Sequence, residues 1–207
     1  MKQGTVFSLV QENEPLEGCT ISKEILNPSI MLMSMGAQTD ISAESYAQSK
    51  LVWLLAGSMK VMPDLCLEAG QAVWTHADAL VGMKTEKGAI YLEMTPERSN
   101  TMKLTAGEVF RLQDLIDYRP GAIVNRDVFS TPAMKLVVMA FDEDTGLGEH
   151  AAPGEAMLFG LEGEAVITYE GTEHVLKAGE QFLFAKNGKH AVRAKGRFKM
   201  ALLMTLA

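Results

Sequence analysis

Leu51-Val-Trp-Leu-Leu-Ala-Gly57-Ser-Met-Lys-Val-Met62 lies over Met157-Leu-Phe-Gly-Leu-Glu-Gly163-Glu-Ala-Val-Ile-Thr168 at a constant offset of 106, glycine on glycine. Upstream, Phe7-Ser-Leu, Gly18 and Ser22-Lys-Glu-Ile-Leu26 lie over Phe110-Arg-Leu, Gly121 and Asn125-Arg-Asp-Val-Phe129 at 103. Downstream, Leu67-Glu-Ala-Gly70 lies over Leu176-Lys-Ala-Gly179 at 109, and Leu92-Glu-Met-Thr95 over Leu202-Leu-Met-Thr205 at 110. Order is kept and the offset drifts one way, as small loop insertions in the second copy produce. The 207 residues therefore read as two tandem copies of one fold, 1–105 and 106–207, a duplication rather than a solenoid.

Within each copy the hydrophobic period is two. Ile30-Met-Leu-Met-Ser-Met35 and Ala165-Val-Ile-Thr-Tyr169 are short, apolar or β-branched, and bounded by turn residues. Turns such as Tyr169-Glu-Gly-Thr172 and Lys186-Asn-Gly-Lys189 separate them. This pattern predicts an all-β chain, an antiparallel sandwich or barrel in each copy. Helix-like stretches occur only near Gln11–Leu16 and Leu112–Tyr118, one leading into each copy. The 14 methionines read as barrel filling, with Met31, Met33 and Met35 alternating on one strand face and Met139, Met157, Met200 and Met204 in strands of the second copy.

The composition excludes several classes of function. Apolar residues at 47% and charged residues at 22% are those of a folded globular chain. A net charge of −7 without any long Lys/Arg cluster argues against nucleic acid or an anionic membrane as partner. Runs such as Leu51–Gly57 are far shorter than the ~20 apolar residues that span a bilayer. Met1-Lys-Gln-Gly4 leads into Glu12 and Glu14 without an apolar signal core, so a soluble cytoplasmic protein is expected. Cys19 and Cys66 have no metal-type spacing and read as small buried or half-buried apolar residues. Neither a phosphate-binding glycine loop nor a helix-turn-helix segment is present.

The second copy carries a more specific pattern. Gly148-Glu-His150-Ala-Ala-Pro-Gly-Glu155, running on to Gly163, followed by Leu176-Lys-Ala-Gly179-Glu and Ala185-Lys-Asn-Gly-Lys-His190, resembles the two conserved motifs of the cupin superfamily. Through the repeat the resemblance extends more weakly over residues 7–95, so that the whole chain looks like a bicupin. It implies two tandem double-stranded β-helix (jelly-roll) barrels with a few short helices. It also implies a divalent metal ion, Zn, Mn, Fe or Ni, held by histidines and a glutamate. His150 and His190 fall on family histidines, whereas Ala152 stands where a second histidine belongs and Ala156 where the glutamate does. Ala185, Asn187 and Ala194 depart from the second motif.

A site of this kind needs three or four N/O donors at about 2.0–2.2 Å, and two imidazoles alone hold a metal weakly. Glu155 is the candidate third donor beside His150 and His190, because Pro153-Gly154 interrupts the strand alternation that would otherwise set it on the opposite face. The alternative is a metal-free pair of histidines hydrogen-bonded in a pocket. His174 shares a strand face with Leu176 and reads as half exposed, and His76, near Asp78, as a surface histidine paired with it.

The family pattern places Ala152, Ala156, Leu158, Gly160, Phe182 and Phe184 around a pocket in the second barrel, where small residues enlarge a mostly apolar space. In the first copy, Glu44 replaces His150, Tyr46 replaces Ala152, Lys50 replaces Ala156 and Leu80 replaces His190. A Lys50–Glu44 pair and a purely structural barrel are expected there. Two functions fit: a metal-dependent enzyme on a small organic substrate, or a non-catalytic barrel that binds or senses a small ligand. Free barrel edges also allow a homodimer.

Overall fold

The computed structural model describes residues 1–61, 64–96, 100–101 and 104–206. In chain order the first copy forms β1 (Val6–Phe7), β2 (Thr20–Ile25), β3 (Asn27–Met35), β4 (Thr39–Ser45), β5 (Leu51–Val61), β6 (Leu65–Glu68), β7 (Gln71–Trp74), β8 (Leu80–Thr85) and β9 (Ala89–Met94). After β10 (Asn100–Thr101), the second forms β11 (Val109–Arg111), β12 (Ile123–Ser130), β13 (Met134–Phe141), β14 (Gly146–Ala151), β15 (Ala156–Tyr169), β16 (Thr172–Lys177), β17 (Gln181–Phe184) and β18 (Lys189–Thr205). Among the described residues, helix is confined to α1 (Leu9–Glu12) and a 3-10 turn at Leu112–Leu115. Each is shorter than the helix-like stretch that announced it, and α1 ends before Pro15, whose ring disfavours helical geometry in the residue preceding it.

Two compact units result. A C-terminal unit comprises Met1–Ser8, Ser99–Met102 and Leu112–Ala207, and an N-terminal unit Leu9–Arg98 and Lys103–Arg111. Strand order in the first is β1-β17-β15-β18-β13-β12-β10, and in the second β11-β7-β5-β9-β3-β2. With β11 for β1, β7 for β17, β5 for β15 and β9 for β18, the two orders coincide. β1 pairs with β17, Val6 opposite Phe182, while β11 pairs with β7, Val109 opposite Val73. Each unit is thus completed by a strand that enters from a distant part of the chain.

The opening repeat corresponds to the long strands β5 and β15, of 11 and 14 residues. β5 pairs first with β7 and β9 and then with β6 and β8; β15 pairs first with β17 and then with β16, keeping β18 alongside. The change of partner falls at Gly57 (φ 83°) and Gly163 (φ 75°), where a Cβ would run into the carbonyl of Gly88 or Arg197. Only glycine accepts both the left-handed backbone and that close approach.

Register corrects one part of the repeat. Leu51 lies opposite Met94 and Met157 opposite Leu203, so the last strands correspond at an offset of 109, not 110. Side chains alternate along a strand, so a slip of one residue exchanges inner and outer positions. Inside the C-terminal barrel, Phe141, Ala156, Leu158, Ile167, Phe182, Phe184, Phe198 and Met200 form one buried cluster with Met139 and Leu176. Inside the N-terminal barrel, Met35, Val52, Leu54, Met59, Val73 and Tyr91 do the same, with Met33 packed against them. Both cysteines are exposed rather than buried: Cys19 precedes β2, and Cys66 occupies the outward phase of β6.

Candidate functional site

His150 and His190 are brought together by strand pairing. They stand directly opposite in β14 and β18 after a bulge between Leu147 and His150, and opposite residues share a face. Their ring centroids are 4.3 Å apart and the planes are tilted by 55°. His150 Nδ1 lies 2.8 Å from the carbonyl oxygen of Gly148, and His190 Nδ1 lies 2.9 Å from that of Gly188. A carbonyl oxygen only accepts, so each Nδ1 carries the proton; in the neutral form of either ring the lone pair is then on Nε2. His190 is 3% exposed. Burial pushes its pKa below the ordinary imidazole value and the neighbouring His150 adds to that, against the opposing pull of the Gly188 carbonyl. It is therefore a neutral base at pH 7.

An aromatic ladder supports this pair. The Phe184 ring stacks on His190, with centroids 4.1 Å apart and planes 20° apart. Phe182 follows at 5.0 Å, and His174 lies 5.1 Å from Phe182. Tyr169 meets Phe182 edge-on at 5.6 Å and Phe184 at 5.7 Å, and its hydroxyl accepts the Ala185 N–H at 3.4 Å. Tyr169 was not among the residues expected here. The one sequence signal for it was Gly188, where a Cβ would sit 2.8 Å from the tyrosine ring and hydroxyl.

Glu155 does not join the histidines. Its Oε1 accepts a hydrogen bond from Gln3 Nε2 at 2.7 Å, and its backbone carbonyl accepts from Thr205 N at 2.9 Å. Gly154 is pressed against the Thr205 carbonyl, which fixes the turn between β14 and β15. Among the described residues no three His, Cys, Asp or Glu side chains gather as a metal ion requires. Two imidazole nitrogens are suitable donors for a borderline metal, but they fall short of the three or four that such a centre needs.

Ala152, Ala156, Leu158, Phe182 and Phe184 are all buried in the core cluster of the C-terminal barrel. Gly160 is small for a reason other than cavity space: a Cβ there would strike the Lys177 carbonyl, and its N–H donates to Glu180 O.

The N-terminal unit has a different polar arrangement. Glu44 lies opposite Val81, so Val81, not Leu80, takes the place of His190. Lys50 pairs with Glu93 at 2.7 Å rather than with Glu44, both side chains being largely buried at 12% and 17% exposure. Glu44 is exposed and accepts from the Tyr46 hydroxyl at 3.1 Å, while the Lys50 ammonium lies 3.4 Å from the centroid of the Tyr46 ring. His76 is exposed.

Comparison with known proteins agrees with this architecture. Residues 137–206 match the Cupin domain family. The chain superimposes on a cupin 2 conserved barrel domain protein from Leptotrichia buccalis with a TM-score of 0.82 and 21% identity, over 99% of this chain and 98% of that one. A cupin superfamily protein from Desulfitobacterium hafniense matches 52% of this chain over 99% of its own, with a TM-score of 0.50 and 22% identity. A variant of the salicylate 1,2-dioxygenase from Pseudoaminobacter salicylatoxidans matches with a TM-score of 0.64 and 12% identity, over 97% of this chain and 83% of that one. At these identities the structural likeness speaks for the fold alone. No curated protein matches the sequence. The barrels are of the cupin class. The span that matches the Cupin domain family, residues 137–206, lies in the barrel that carries the two histidines. Among the described residues no helix is long and apolar enough to cross a membrane.

Proposed function

We propose that the protein is a bicupin that binds a small organic molecule at the histidine-bearing end of its C-terminal barrel, without a resident metal. The observation that carries this reading is the paired tautomer: both Nδ1 atoms are tied to carbonyls, which leaves two neighbouring Nε2 acceptors and, among the described residues, no third ligand. Such a pair takes a ligand that presents O–H or N–H donors and an apolar body against the aromatic ladder. The neutral His190 can also accept a proton, so acid–base chemistry is within reach of the same atoms. Elemental analysis after reconstitution with Mn, Fe, Ni and Zn, repeated on His150→Ala and His190→Ala, tests the proposal. No stoichiometric metal is expected in any of the three proteins. One metal ion per chain, lost in both variants, would overturn it in favour of a metal-dependent cupin enzyme.

A further inference from the structure

We propose that the N-terminal unit binds a neutral aromatic ring with a hydroxyl group, in the place that the aromatic ladder fills in the other barrel. A cavity of about 270 Å³ lies there, and its walls repeat the ladder position by position. Val73 pairs with Val109 as Phe182 pairs with Val6, so Val73 stands for Phe182. Trp74 pairs with Leu51 as Leu183 pairs with Met157, so the next residue, Thr75, stands for Phe184. Val81 stands for His190, and Leu65, opposite Val61, stands for His174, opposite Ile167. Val73, Thr75, Val81 and Leu65 all line the cavity. The stacked Phe184 and His190 rings, 4.1 Å apart, are thus exchanged for a threonine and a valine, and the room left by the rings is open.

The walls set the ligand class. Val61, Val73 and Val81 belong to the buried core cluster, so the inner part is apolar. A cavity with aliphatic walls stays dry and takes up a benzene-sized molecule, and a flat ring suits a space that flat rings fill at the same register of the other barrel. The polar groups stand at the rim. His76 is exposed, and Gly107 makes room for it as Gly4 does for Tyr169: a Cβ would lie 3.2 Å from His76 Nε2 in one unit and 3.0 Å from the tyrosine ring in the other. An imidazole always offers an N–H and, when neutral, an acceptor nitrogen, so it suits a hydroxyl, which both donates and accepts. Among the described residues Asp64 is the only carboxylate on the wall, and no lysine or arginine lines it. The Asp64 side chain is 89% exposed and lies 3.9 Å from the Lys60 ammonium, so it holds a cation weakly. It still accepts from an O–H and repels a carboxylate, which favours a neutral phenol over a benzoate.

The only two tryptophans, Trp53 and Trp74, both lie in this unit, and only Trp74 lines the cavity. Their indole N–H resonances in the full chain, assigned with Trp74→Phe, therefore report on the site directly. Phenol, at concentrations that leave the fold intact, is expected to move the Trp74 signal and leave that of Trp53. It is expected to bind more tightly than toluene, which lacks the hydroxyl, than cyclohexanol, which lacks the flat ring, and than benzoate. His76→Ala, at an exposed position, is expected to weaken phenol about fivefold without changing toluene, the loss of one neutral hydrogen bond. Val73→Phe, which returns the ring of the counterpart, is expected to abolish phenol binding. An unmoved Trp74 signal, equal phenol affinity in His76→Ala, or benzoate bound as tightly as phenol would overturn the proposal. None of these outcomes bears on the histidine site, which lies in the other unit.

Discussion

In the C-terminal unit His190 faces His150 across β14 and β18, above a core of phenylalanine, alanine and methionine; at the same register in the N-terminal unit Val81 faces Glu44. Deeper in, the contrast reverses. Where the C-terminal barrel has Ala156, Met200 and Leu202, the N-terminal barrel has Lys50, Tyr91 and Glu93. One fold thus carries its polar groups at the end of one barrel and in the interior of the other. The barrel frame tolerates either arrangement because strand pairing and the two bend glycines hold it, while the inward side chains vary.

The largest effect is expected where the units agree. Gly163→Ala would add a Cβ in a left-handed conformation against the Arg197 carbonyl, and Gly57→Ala would do the same against Gly88. Each should cost about 3 kcal/mol in denaturant unfolding, from backbone strain and displaced chain. A loss below about 1 kcal/mol in either would show that this bend does not hold that unit.

A smaller effect is expected where the units differ. Lys50→Ala leaves Glu93 largely buried and unpaired and should cost about 2 kcal/mol, less than a fully buried pair because both groups keep some access to water. The double change Lys50→Ala, Glu93→Leu gives this barrel the residues of its counterpart and should recover most of that loss. Failure to recover it would mean that the interiors cannot be interchanged.

The third difference appears on titration. Because the folded state lowers the pKa of His190 below its unfolded value near 6.5, stability is unaffected well above that pH. It falls as pH drops through the unfolded value, since the unfolded chain takes up a proton that the folded site resists. NMR titration of the His190 ring should give a midpoint below the ordinary imidazole value, and His190→Gln should remove this part of the acid destabilisation. A midpoint at or above the ordinary value would contradict the burial of His190.

The all-β fold was legible because it rests on local signals: period-two alternation, and glycines at Gly57 and Gly163, where the backbone excludes other residues. The histidine pair was legible for the same reason, as both residues sit in short conserved-type motifs. What escaped was set by distant pairing. Glu155 is claimed by Gln3 from the start of the chain, and nothing near either residue announces it. The one-residue slip that puts Val81 in place of His190 arises from hydrogen-bonded register, to which similarity of apolar residues is nearly blind. Tyr169 joins the ladder because Gly188 makes room for it, a packing fact without a sequence period.

The long-range pairing of β1 and β11 bears on synthesis as well as on stability. Emerging from the ribosome, the N-terminal half exposes an open edge at β7 until Val109–Arg111 has been made, and Val6–Phe7 waits for Phe182 before it finds its place. The N-terminal unit can close its edge once Arg111 has been made, whereas the C-terminal unit holds Val6–Phe7 unpaired until the late strands β17 and β18 emerge. A cut between residues 105 and 106 would leave both fragments with a missing edge strand and a sheet open to self-association.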